Sequence, residues 1–276
     1  MRNTWAICKR EFKAFFLTPI GYVVTGLVAV ISGLAFSLQF LEYVRISQDP
    51  TANAFSSVPD FEEWLLSPFL LFCGTLIMFL SPLITMRLFA EERHRGTIEL
   101  LLTHPLRDRE IIFGKYAAAL GMVLVLLLIV LVDLGIVFYF AEVEVAVLMF
   151  GLCTVFLMGA AFISMGLFIS ALTRNQITSG SLTFGASLLL FIVGTLGEDL
   201  PETNPAPGDW PQMLRTAAGF LHGVLRRLLL EVRLDAHARD MAQGIFQPQD
   251  VAYYVLFCAF FLFLTFRALE SRHWRS

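Results

Sequence analysis

The sequence predicts an all-α integral membrane protein with six transmembrane helices, and three of its features carry that expectation. Of the 276 residues, 57% are hydrophobic and only 16% are charged, whereas a soluble domain carries nearer a quarter of charged residues to wet its surface. The apolar residues gather into six long runs, each able to cross a hydrocarbon layer of ~30 Å. Lysine and arginine are dense in alternate connections and sparse in the others, which is how a multi-pass chain sets its orientation.

The expected spans cover about 20–41, 65–86, 111–140, 145–172, 177–197 and 250–269, in a single transmembrane domain of residues 1–276. The second run carries Pro68 near its start and Pro82 near its end. The third is interrupted by one acid, Asp133. The fourth has no charge over its whole length and is long enough that it must tilt, kink or protrude. The sixth is short unless Arg267 snorkels to the interface. Charged residues recur through Lys13 and the run after them is too long for a signal-peptide core, so the first span is expected to be retained. Cys8, Cys73, Cys153 and Cys258 include no CxxC pair, and the histidines are scattered, so neither a disulfide framework nor a zinc site is indicated.

With the N-terminus on the cytoplasmic side, the inner segments hold four, six, one and three basic residues, fourteen of the 20 in the chain. The first outer loop is acidic instead, with Glu42, Asp49, Asp60, Glu62 and Glu63. Both termini are therefore expected in the cytoplasm.

Three segments outside the spans have patterns of their own. In residues 1–18, Trp5, Cys8, Phe12, Phe15 and Phe16 fall on one side of a helix, away from Lys9, Arg10 and Lys13. This reads either as an amphipathic helix in the membrane interface or as the positive flank of the first span. Residues 198–249 form an outer segment. It opens with acid and proline, then shows a helical stripe of Leu214, Ala218, Leu221, Leu225 and Leu228, with Arg215, Arg226, Arg227 and Arg233 on the polar side. That segment lies on the outer surface or dips into it as a re-entrant pair.

The third segment, 87–110, is the most informative. Arg93, His94 and Arg95 suit the end of a helix, and Gly96 suits the left-handed position just past it. Thr97 then caps a short new helix with Glu99 in its first turn and Ile98, Leu100, Leu101 and Leu102 as its body. The helix ends before His104-Pro105. Four large aliphatics on so short a helix have nothing of their own to pack on, so the element lies on lipid or docks into a partner.

Read as Glu-Glu-Arg-x-x-Gly-Thr-Ile-Glu-Leu-Leu-Leu-Thr-x-Pro, residues 91–105 resemble the segment after the second span in permeases of the type-2 ABC exporter class (ABC-2). The stretches Trp5-Ala-Ile-Cys-Lys-Arg-Glu-Phe-Lys and Pro19-Ile-Gly-Tyr resemble that class's N-terminal connector helix and the start of its first span. Residues 244–254, 261–265 and 269–275 resemble the gliding-motility (GldF-like) permease branch. The resemblance implies that the short helix is a cytoplasmic coupling helix that touches a separate ATPase, with Glu91, Glu92, Arg95, Gly96, Thr97, Ile98, Glu99, Leu101 and Leu102 as coupling residues. It also implies re-entrant helices between spans five and six, a second permease chain, two ATPase copies carrying ATP and Mg, and a bacterial inner-membrane location. The chain itself is expected to bind no cofactor or metal and to catalyse nothing; lipid and an outer or periplasmic protein are further expected partners, and nucleic acid is not.

No Gly-x4-Gly-Lys-Ser/Thr motif occurs; Gly114-Lys115 lacks the upstream glycine and the following hydroxyl. An intramembrane enzyme would need paired catalytic groups at membrane depth, and an ion-coupled carrier several buried charges. The spans offer one acid, Asp133, which either serves function or reaches head-group water from the outer part of its helix. A further reading, an ABC-like anchor doing mechanical work on an outer partner without cargo, stays open.

The charge split makes a topology prediction. In a background without the four native cysteines, Ser56→Cys and Asn204→Cys should react with an impermeant maleimide on intact cells, whereas Arg95→Cys and Asn175→Cys should react only after permeabilisation. Labelling of residue 175 from outside would break the six-span arrangement.

Overall fold

The computed structural model describes residues 2–48, 60–94, 96, 107–140, 144–201, 211–231, 234 and 236–273, and every regular element among them is helical. Helix α1 is Arg2–Leu17 and α2 is Pro19–Gln48; a π-helical turn, Glu62–Leu66, leads into α3, Ser67–Thr85. The short α4, Ala90–His94, is followed by α5, Asp108–Phe140, α6, Val145–Leu172, and α7, Gln176–Asp199. The chain ends with α8, Gln212–Glu231, α9, Ala236–Ala242, and α10, Pro248–His273. Six stretches are long and apolar enough to cross a membrane: Pro19–Gln48, Glu62–His94, Asp108–Gly135, Val145–Leu172, Gln176–Gly197 and Pro248–Ser271. An even number of spans returns the chain to the face on which it began.

Helix α6 is the central post. It packs against α3, α5, α7, α9 and α10, and its small residues allow this. Three glycines, each seven or eight residues after the last, meet α3 or α5: a β-carbon at Gly151 would stand 2.3 Å from Leu70, one at Gly159 2.9 Å from Val123, and one at Gly166 2.3 Å from Thr85 Oγ1. Lipid tails are as apolar as the helices, so close contact of this kind, rather than expulsion of water, holds spans together. Gly180 of α7 faces Met86 in the same way. Ser181 and Gly185 do not: Ser181 is exposed, and a β-carbon at Gly185 would meet nothing within 4 Å. Helical spacing alone could not separate the packed face of α7 from its outward face.

Five threonines within the spans bond back to their own helix. Thr25 donates to Gly21 O (2.8 Å), Thr75 to Leu71 O (3.0 Å), Thr85 to Ser81 O (2.9 Å), Thr183 to Ser179 O (2.8 Å) and Thr265 to Phe261 O (2.7 Å). Each of these is satisfied one turn back and needs no partner helix, whereas Ser32 and Ser170 bond across to other segments.

Beyond α7 the chain folds back on the bundle. Helix α9 buries Ala238, Met241 and Ala242 against α3 and α6. His237 Nδ1 lies 2.8 Å from Asp250 Oδ1, and its ring stacks on Tyr253. The stripe on α8 faces away from the protein: Leu214, Leu221, Leu225 and Leu228 are all more than half exposed. Arg226, from the polar side, turns inward and donates to Leu200 O (3.3 Å). The stripe is thus free to meet lipid while the arginine side ties α8 to the end of α7.

Gly166→Ala should lower the thermal stability of the purified protein by about 1–3 kcal/mol, the usual cost of overpacking, because Thr85 and its helix must move. Gly135→Ala, at a position with nothing within 4 Å, should leave the melting curve unchanged. Equal curves for both variants would show that the α3–α6 contact does not govern stability.

Candidate coupling site

The residues singled out at 91–102 begin where α3 ends. Pro82 sits in the last turns of α3, and the turn after it carries the chain into α4 through Leu88 N–H to Thr85 O (3.1 Å). The first turn of α4 holds Glu91 and Glu92 and its last holds Arg93 and His94, the arrangement that the helix dipole favours. Gly96 follows with φ 68°, a left-handed conformation that glycine adopts without a β-carbon penalty. Arg95, Thr97, Ile98, Glu99, Leu101 and Leu102 lie outside the described residues, so the expected coupling helix itself does too.

The base of that segment is fastened on three sides. Toward α1, Arg87 donates to the Thr18 hydroxyl and stacks over the Phe15 ring with 4.9 Å to its centroid. Toward α6, Phe89 and Ala90 N–H both donate to Ser170 Oγ, at 3.1 and 3.2 Å. Arg93 Nη1 donates to Thr173 O, just past α6, at 3.2 Å. Toward α5 the contact is ionic. Lys115 Nζ lies 2.9 Å from Glu92 Oε1 and 3.2 Å from Glu11 Oε1, and Arg10 bridges the same two carboxylates at 3.2 and 2.6 Å.

Lys115 is 1% exposed and its ammonium lies 5.2 Å from the Phe89 ring centroid. Burial alone would raise the Glu11 carboxyl, but Lys115 and Arg10 together outweigh it and hold Glu11 below the usual carboxylate range. A hollow of about 310 Å³ beside the cluster is lined by Glu11, Thr18, Arg87, Glu91, Glu92 and Lys115, among others.

Helix α1 is held by shape as well as charge. Asn3 Nδ2 donates to Glu110 Oε2 (3.4 Å), Ile7 covers Gly114 so closely that a β-carbon there would stand 2.8 Å away, and Phe12 lies on Gly121. The aromatic stripe read in residues 1–18 is therefore divided: Phe15 is buried, Trp5 is 70% exposed, and Ile7, outside the stripe, comes closer to a glycine of α5 than Phe12 does.

Glu92, expected to face a partner, is thus engaged inside the chain, and the cluster it joins includes Glu11 and Lys115, which the sequence reading passed over. The signal for Lys115 was a lone cation a few residues into an apolar run; its partner Glu11 lies 104 positions away, beyond any local spacing rule. Asp133 is not part of this site. It accepts from Ser32 Oγ of α2 at 2.7 Å, some 25 residues or roughly 38 Å along α5 from its start. Among the described residues, no three or more His, Cys, Asp or Glu side chains gather where they could hold a metal ion.

A family model described as ABC-2 family transporter protein matches residues 5–270. The chain belongs to the ABC-2 family of transporter proteins. Members of this family form the membrane component of an ABC transporter, and the matched range takes in most of α1, the α3–α4 junction, residues 198–249 and nearly all of the six candidate spans of this ABC-2 protein. Comparison with the curated proteins finds no match.

The charge cluster makes a quantitative prediction. Lys115→Met leaves two carboxylates facing each other with only the half-exposed Arg10 between them, and should cost ~3–5 kcal/mol of stability, read as a large drop in melting temperature. Arg10→Ala should cost at most ~1 kcal/mol. Glu11 has a depressed folded value, so its contribution is complete above the usual carboxylate range and is lost as pH falls through the lower folded value. Wild type should therefore lose stability in acid more steeply than Glu11→Gln; parallel pH profiles would remove Glu11 from the account.

Proposed function

We propose that this chain is the permease subunit of an ABC transporter and that it couples ATP hydrolysis on a separate ATPase subunit to export of a substrate. The observation that carries the reading is the fastening of residues 86–94 to α1, α5 and the α6–α7 junction. A segment anchored on three sides and leading into four large aliphatics suits a lever that a partner grips. In this reading residues 98–102 dock as a helix into a groove of the ATPase, oriented by Glu91 and Arg95 and turned by Gly96. Two permease chains and two ATPases carrying ATP and Mg make up the transporter, in the inner membrane of a bacterium with both termini cytoplasmic. The tail's resemblance supports the gliding-motility branch. Asp133, bonded to Ser32, serves as a polar joint between α2 and α5.

The apolar residues should supply most of the docking affinity, since burying each Leu or Ile is worth ~1.5–3 kcal/mol and an exposed ion pair ~0–1 kcal/mol. Leu101→Ser with Leu102→Ser should release the ATPase that co-purifies in mild detergent, or uncouple its hydrolysis, while Glu99→Gln should do little. Gly96→Val should also impair docking, because a β-branched side chain resists φ 68°. If the double serine variant keeps a fully stimulated ATPase, residues 98–102 are a lipid-lying element instead. A stimulated ATPase with no cargo in any flux assay would favour an anchor that does mechanical work.

A further inference from the structure

Helices α5 and α10 leave a groove of about 720 Å³ between them, on the face that carries the N-terminus of α5 and the C-terminus of α10. Its walls are apolar: Ile112 and Phe113 on one side, Leu262 and Phe263 on the other. At its mouth stand two arginines, one from each wall. Arg109 lies over the Phe266 ring at 5.5 Å, and Arg267 over the Phe263 ring at 5.3 Å. Arg267 also pairs with Glu270 at 2.8 Å, so the mouth holds two cations against one carboxylate. Below Arg267 the α10 wall runs back to Ala259, eight residues or about 12 Å of helix without a charge.

Phe113 and Phe263 are both about half exposed (52% and 54%), and α10 is the least buried of the six spans. The groove therefore lies on the perimeter of the subunit. We propose that it binds one anionic phospholipid, with the phosphate between Arg109 and Arg267 and an acyl chain along the Phe113–Phe263 wall. Charge complementarity selects this occupant. Guanidinium groups bind phosphate oxygens in a planar fork, and basic sites between spans at the head-group level take anionic lipid. A second copy of the chain suits it less well. A two-fold contact through this groove, with its axis along the membrane normal, would set Arg109 and Arg267 against their own counterparts at the same depth. The proposal does not rest on the transport reading.

The test is native mass spectrometry of the full-length protein, delipidated and then titrated with phosphatidylglycerol or with phosphatidylcholine of the same acyl chains. One phosphatidylglycerol per chain should be retained in preference to phosphatidylcholine. Arg109→Ala with Arg267→Ala should lower that retention about 25-fold, at about fivefold per arginine, and the corresponding double lysine variant should keep most of it. If the double alanine variant does not elute as a folded species, the lysine pair and the wild-type head-group preference decide the matter. Equal retention of the two lipids by wild type, or unchanged retention by a folded alanine variant, overturns the proposal. So does efficient disulfide formation between two chains carrying Phe263→Cys, which would make the groove a protein interface.

Discussion

An ammonium group withdrawn from water at the edge of a membrane must be neutralised where it stands, and Lys115 is such a group. Its side chain is 1% exposed, and the two carboxylates that neutralise it come from α1 and α4. Three segments far apart in sequence must therefore meet before the lysine is tolerable. Arg10, the outermost member, balances the second carboxylate. In so little water a complete cluster holds its members firmly, and removing its buried cation costs more than the whole cluster contributes. The contacts around it fit that requirement: Phe89 covers the ammonium, Ile7 closes on Gly114, and Arg87 caps the α1–α2 joint.

The same cluster determines what the 86–94 segment can move. Through Glu92 it is tied to α1 and α5, and through Ser170 and Thr173 to the α6–α7 junction. A displacement applied past Gly96 is thus shared among several spans at once. Pro82, which lacks a backbone donor, sits in the last turns of α3, where bending costs least.

The six spans were legible in the sequence because crossing a bilayer requires only length and apolar composition, both local properties. Gly96 was legible for a similar reason, since a helix end followed by glycine is a local pattern. The internal charge cluster was not. Lys115 counted as one more basic residue near the membrane, and Glu92 as a charge for a partner, because nothing within four residues of either one names the other. The amphipathic reading of residues 1–18 found the aromatic stripe but missed Ile7, whose importance comes from a glycine on α5. Asp133 stood out as the acid in a span, yet its partner Ser32 looks like any hydroxyl that bonds back to its own helix. Local pattern reveals the elements; which element lies opposite which decides the site.

Helix α5 carries a polar tie at each end, Lys115 toward α1 and α4 and Asp133 toward α2. The two are 18 residues apart, roughly 27 Å of helix. Because α1 and α2 are consecutive and their joint is held by Arg87, the three helices α1, α2 and α5 form a block braced at both ends. Helix α10 meets α6 chiefly through aromatic and apolar contacts such as Phe168 on Phe261. Dispersion contacts have little directional preference and re-form after a small shift, whereas a buried hydrogen bond or ion pair that breaks leaves a desolvated group behind. A small shift across the boundary between α10 and its neighbours therefore costs less than the loss of a polar tie within the braced block. The groove between α5 and α10 lies on that boundary, where a bound lipid would touch both parts.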